Sequence, residues 1–92
     1  MLYEWDPRKA LANAKKHGVS FPEAATVFLD PLAVTFDDPD HSTIEQRSIT
    51  IGRSNARRLP FISLSERNDC IRIIGARRAT RKETYGYQEG KF

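Results

Sequence analysis

The stretch RLPFISLSERNDCIRIIGA, residues 58–76, decides the fold. Arg58 to Glu66 reads as a strand, Arg67-Asn68-Asp69 as a turn, and Cys70 to Ala76 as a second strand that is apolar on both sides around Arg72. A turn this short joins antiparallel neighbours. Immediately upstream, Gln46 to Ile51 is another strand, in which Ile49 and Ile51 alternate with Ser48 and Thr50. Arg53-Ser54-Asn55-Ala56 turns it into the first strand of the pair. Further upstream, Leu32 to Phe36 is a short strand, followed by the acidic loop Asp37-Asp38-Pro39-Asp40-His41.

Helical signals flank these four strands. Asp6 caps a helix that has Pro7 at its first position, runs to about His17 and stops at Gly18. Ser20 and Glu23 stand at capping-box spacing before a second helix, which Asp30-Pro31 ends. Thr80 and Glu83 repeat that spacing before a final helix, weakened by Gly86. The expectation is an α+β domain over residues 1–92: two N-terminal helices, a four-stranded, mainly antiparallel sheet and a C-terminal helix.

Composition narrows the function. Ninety-two residues allow one modest core. No apolar run approaches the ~20 residues that span a bilayer, and no charged-then-apolar leader is visible, so a cytoplasmic protein with no membrane partner is expected. The single Cys70 excludes an internal disulfide and a cysteine-based zinc site. Residues 1–46 carry four Lys/Arg against eight Asp/Glu, whereas residues 47–92 carry eleven against four. Nine of the ten arginines fall in that second half. The guanidinium fork matches phosphate oxygens, so this asymmetry suggests a nucleic-acid partner or an acidic protein partner.

Several chemistries find no support. Two histidines without a cysteine cluster do not make a zinc site. Asp37, Asp38, Asp40 and His41 offer oxygen and nitrogen donors, but a loop of Asp, Pro and His reads first as a turn. Gly52-Arg53-Ser54 lacks the spacing and the lysine of a phosphate-binding loop. Neither metal nor cofactor is expected. Phosphodiester cleavage of RNA without metal remains. It needs a base for the 2′-hydroxyl, an acid for the leaving oxygen and cations on the phosphate. His41, Glu45 and Arg47 lie in one short stretch and supply all three types. Arg72 and Arg77 add cations from the last strand, although strict alternation puts them on opposite faces unless the sheet twists or bulges. Glu66 is a reserve base. Arg53, Arg58, Arg78, Arg81 and Lys82 are candidate RNA contacts. The competing reading is a non-enzymatic protein-binding module that acts with its partner in transcriptional autoregulation.

The ordered pieces Tyr3-Glu4-Trp5-Asp6-Pro7, Asn13, Lys16-His17-Gly18-Val19-Ser20-Phe21, Val27-Phe28, Asp40-His41, Glu45, Arg47, Ile51-Gly52, Ser54, Arg72-Ile73-Ile74-Gly75-Ala76-Arg77, Ala79-Thr80 and Glu83 resemble the BrnT toxins of type II toxin–antitoxin pairs. That resemblance implies a RelE/ParE-like fold and a metal-independent endoribonuclease that arrests growth. It also implies a BrnA-type antitoxin, a ribbon-helix-helix protein through which alone the toxin would meet operator DNA. Two residues depart from the family pattern. Gly75 stands where Ser is usual, which loosens the strand near Arg77, and Pro60 calls for an edge position or a bulge.

Overall fold

A computed structural model describes residues 2–38 and 46–91. The elements run β1 (Leu2–Glu4), α1 (Pro7–His17), α2 (Phe21–Thr26) extended by one 3₁₀ turn (Val27–Leu29), β2 (Val34–Asp37), β3 (Arg47–Ile51), β4 (Pro60–Arg67), β5 (Cys70–Arg78) and α3 (Arg81–Glu89). The helix ends follow their local chemistry. The Asp6 carboxylate accepts the Arg8 and Lys9 N–H groups, and Gly18 closes α1 in the left-handed region at φ 71°. At α3 the capping box is complete, with Thr80 and Glu83 each accepting the other's backbone N–H. At α2 only half of it forms: Ser20 accepts the Glu23 N–H, while the Glu23 carboxylate turns to Arg58 and Ser54.

The sheet has five strands, in the order β1-β5-β4-β3-β2, and it is mixed. This corrects the four-stranded expectation. β1 pairs parallel with β5 through Leu2–Cys70, Tyr3–Ile71 and Glu4–Arg72. Three residues are too few to show an alternation, and their pairing is with a strand almost seventy positions away. The remaining pairs are antiparallel. The β4–β5 loop is only Asn68-Asp69, both at positive φ (50° and 64°), the backbone that a type I′ hairpin turn demands. Pro60 is buried at the first residue of β4, an interior strand. A strand's first residue tolerates proline, so no edge is needed.

One irregularity resets the faces of β5. Ser65 faces Arg72 and Leu64 faces Ile73, but Ser63 faces Gly75, so Ile74 is an extra residue in β5. Beyond this bulge the alternation is reversed: Ala76 joins Ile73 and Ile71 in the core, and Arg77, opposite Phe61, emerges on the same face as Arg72. Asn13 of α1 holds the strand at this point. Its amide accepts the Ala76 N–H (3.1 Å) and donates to the Ala76 carbonyl (2.8 Å) and the Val19 carbonyl (3.0 Å). Gly75 leaves room here, because a Cβ added to it would meet only the Asn13 amide oxygen, at 3.8 Å.

The main core cluster lies on one face of the sheet, while Ile49 and Ile51 are buried on the other. Ile62, Leu64, Ile71, Ile73 and Ala76 pack against Val19, Phe21, Ala24 and Val27, with Trp5 edge-on to Phe21. Gly52 is fixed by contact: a Cβ there would come within 2.8 Å of both Ala33 and Val27. Asp30, beside it, accepts the Arg53 N–H, the Leu32 N–H and the Tyr87 hydroxyl, and so ties α3 to the β3 exit.

Candidate active site

The face opposite the core carries the basic chemistry. Register places Glu4, Arg72, Ser65 and Arg47 side by side across β1, β5, β4 and β3. The Asp38 N–H donates to the Arg47 carbonyl and so extends this row past the end of β2. Arg67, two residues beyond Ser65 on β4, points the same way, because side chains alternate with period two. Glu4, Ser65, Arg67 and Arg72 line an open pocket of about 300 Å³. Two arginines thus share this pocket with one buried serine and a carboxylate, and Arg47 is the neighbour of that serine on β3. Arg72 is held loosely: its closest carboxylate oxygen, on Glu4, is 3.8 Å away, and its side chain is 41% exposed. An arrangement of this kind suits an anion with several acceptor oxygens, since each Arg offers a fork of N–H donors.

Cys70 stands at the same end of the face. Burial, and then the Glu4 carboxylate, push its thiol above the ordinary range, so it does not supply a thiolate nucleophile.

Arg77 occupies the other end. Phe61 and Ser65 are four positions apart on β4, so Arg72 and Arg77 are about 13 Å apart along the strands. The Arg77 guanidinium makes two bonds to the Glu83 carboxylate, at 2.8 and 3.0 Å, and lies 3.9 Å over the Phe61 ring. Its hydrogen bonds hold the Glu83 carboxyl below the usual carboxylate range. Arg77 therefore fastens α3 to the sheet.

The other residues singled out from the sequence are dispersed. His41 and Glu45 lie outside the described residues; the chain leaves the sheet at Asp38 and returns at Gln46, next to Arg47. Glu66 pairs with Ile71 and faces the core side of the sheet, away from the arginine row. Arg58 binds the Glu23 carboxylate and donates to the Gly18 carbonyl at 2.8 Å, locking the β3–β4 connection to α2. Arg53 reaches toward the Tyr87 ring. Arg78, opposite Pro60, is exposed on the core side, and Arg81 and Lys82 are exposed in the first turn of α3. Glu4, Ser65 and Arg67 had not been singled out. Ser63, Ser65 and Arg67 alternate with Ile62 and Leu64, a signal present in the sequence, whereas Glu4 belongs to the strand too short to recognise.

Comparison with known proteins agrees with this architecture. A family model, "Ribonuclease toxin, BrnT, of type II toxin-antitoxin system", matches residues 5–83. The fold is similar to the 1.1 Å crystal structure of the Brucella abortus ribonuclease toxin BrnT, with a TM-score of 0.68 and 20% sequence identity. That likeness covers 88% of this chain and 100% of the Brucella chain. No curated protein matches the sequence closely enough to count as a relative. Among the described residues, no helix is long and apolar enough to cross a membrane. With the family model matched over residues 5–83, most of its length, the chain belongs to the BrnT family of ribonuclease toxins of type II toxin–antitoxin systems.

Proposed function

We propose that the protein is a metal-independent endoribonuclease whose phosphate site is the cluster Arg47, Arg67 and Arg72, acting with His41 and Glu45 on the proton transfers. The observation that carries this reading is that strand register sets Arg47 and Arg72 on either side of Ser65, beside a pocket that Arg67 and Arg72 line, at the strand end where the chain leaves at Asp38 and returns at Gln46. In the reaction, one of His41 and Glu45 removes the 2′-hydroxyl proton, and the resulting oxyanion attacks the adjacent phosphorus. The other protonates the departing 5′-oxygen. The guanidinium groups neutralise charge that grows on the phosphate oxygens in the transition state, where fixed donors act most strongly. Histidine suits the work because it exchanges a proton near neutral pH.

On this reading Arg77 keeps α3 in place and Glu66 takes no part in proton transfer. The same reading makes the protein a relative of RelE and ParE toxins that arrests growth when free, with an antitoxin of the BrnA type that neutralises it and carries the pair to operator DNA. Arg53, Arg78, Arg81 and Lys82 contribute long-range attraction for RNA through their charge. The test is cleavage of an end-labelled RNA by purified protein in excess EDTA, with Arg72→Ala beside it. Cleavage that survives chelation and disappears in the variant supports the assignment. Cleavage abolished by EDTA and restored by Mg²⁺ would move the chemistry to a metal bound by the acidic loop.

A further inference from the structure

Among the described residues, the helices do not fully cover the core side of the sheet. α1 and α2 lie chiefly on β5, and the 3₁₀ turn reaches only as far as β3. Beyond it a groove of about 540 Å³ remains, on the opposite face from the arginine row. Tyr3 and Phe28, with ring centroids 5.6 Å apart, form one wall. Leu64 and Ile71 lie along the groove, and the Thr35 and Thr50 hydroxyls, 2.8 Å from each other, satisfy one another at its β2 side. Leu29 lines it while remaining 80% exposed, an apolar side chain left in water. The charge at its rim is negative. Glu66 lines the groove and has no ion-pair partner among the described residues, and Asp37, exposed on edge strand β2, shares this face. Among the described residues, no Lys or Arg lines it.

We propose that this groove is a docking site for the antitoxin, receiving an aliphatic or aromatic anchor followed by a Lys or Arg that pairs with Glu66. An RNA strand is disfavoured here, since the rim would repel phosphate and the walls offer no cation. A protein segment gains twice: its apolar anchor removes Leu29 and the aromatic wall from water, and its cation meets an unpaired carboxylate. The inference rests on the antitoxin partner that membership in a toxin–antitoxin family implies, and not on the cleavage chemistry. Docking at this site leaves the arginine row uncovered by the anchor itself, so binding and catalysis are separable by substitution.

The experiment titrates free toxin into the antitoxin purified from the co-expressed pair, with RNA cleavage measured on the same toxin samples. Leu29→Asp, at an exposed position, is expected to weaken antitoxin binding at least ~30-fold, as loss of a central anchor does, while cleaving RNA like wild type. Glu66→Arg is expected to weaken binding about tenfold, and Leu11→Asp, on the exposed side of α1, to leave it unchanged. Binding within twofold of wild type for both Leu29→Asp and Glu66→Arg overturns the proposal. So does a Leu29→Asp protein that binds antitoxin normally but no longer cleaves, which would assign the groove to RNA. Absence of cleavage by the wild type would count against the ribonuclease reading alone, since the groove is judged on the binding data.

Discussion

Arg72 and Arg77 lie on one strand and, because of the bulge at Ile74, on one face, yet they are held in opposite ways. Arg77 is engaged by two bonds to Glu83, one to the Arg78 carbonyl and the Phe61 ring, at the end of the face where α3 is tied to the sheet. Among the described residues, Arg72 has a single distant carboxylate, and it opens into a pocket shared with Arg67. A guanidinium whose donors are already occupied must give up those bonds before it can take a phosphate, whereas one beside a pocket gives up little. The difference separates an arginine that maintains the fold from one available for chemistry, although the two look alike in the sequence.

Substitution separates the two arginines most clearly at Arg72. Arg72→Ala should lower RNA cleavage by roughly 10²–10³-fold, the loss seen when one transition-state donor is removed, with little change in the melting temperature. Asn13→Ala should cost about 1–3 kcal/mol, because it strands the buried Ala76 N–H and carbonyl beside the bulge; urea unfolding measures it. If Asn13→Ala were neutral, the bulge would be held by strand pairing alone, and the shared face of the two arginines would need no clamp. Arg77→Ala should cost about 1 kcal/mol, an ion-pair value discounted for partial exposure, and reduce cleavage less than tenfold.

Acid offers a gentler probe of the two structural pairs. Arg58 lowers the Glu23 carboxyl, and Arg77 lowers that of Glu83, from an ordinary value of 4.5. Both groups therefore bind protons less readily folded than unfolded. Their contribution is fully present above about pH 4.5 and is lost as pH falls through the depressed folded values. Thermal melts between pH 6 and 3 should show this loss, reduced in Glu83→Gln. The smallest effect is expected from Gly75→Ser: the site has room for a Cβ, so stability should change by no more than about 0.5 kcal/mol.

Much of the fold was legible because its signals are local. Asp6-Pro7 with Gly18, and Thr80 with Glu83, state helix limits within a few residues, and Asn68-Asp69 states a hairpin. What escaped was non-local. β1 exists only through its pairing with β5, and Arg58, grouped with the RNA contacts, is committed to a glutamate 35 positions upstream. In the run Ile71-Arg72-Ile73-Ile74 every neighbour of Arg72 is apolar, so periodicity could not locate the bulge. The candidate site was half legible for the same reason. Arg47 and Arg72 were visible by type, but their neighbours Arg67, Ser65 and Glu4 become neighbours only through strand register.

The most direct test measures RNA cleavage in EDTA and thermal unfolding on the same preparations of wild type, Arg72→Ala and Arg77→Ala. The expected result is a folded but inactive Arg72→Ala and a less stable but active Arg77→Ala. An Arg72→Ala protein that cleaves normally, beside a fully folded Arg77→Ala that does not, would contradict the assignment of the site to the open end of the sheet.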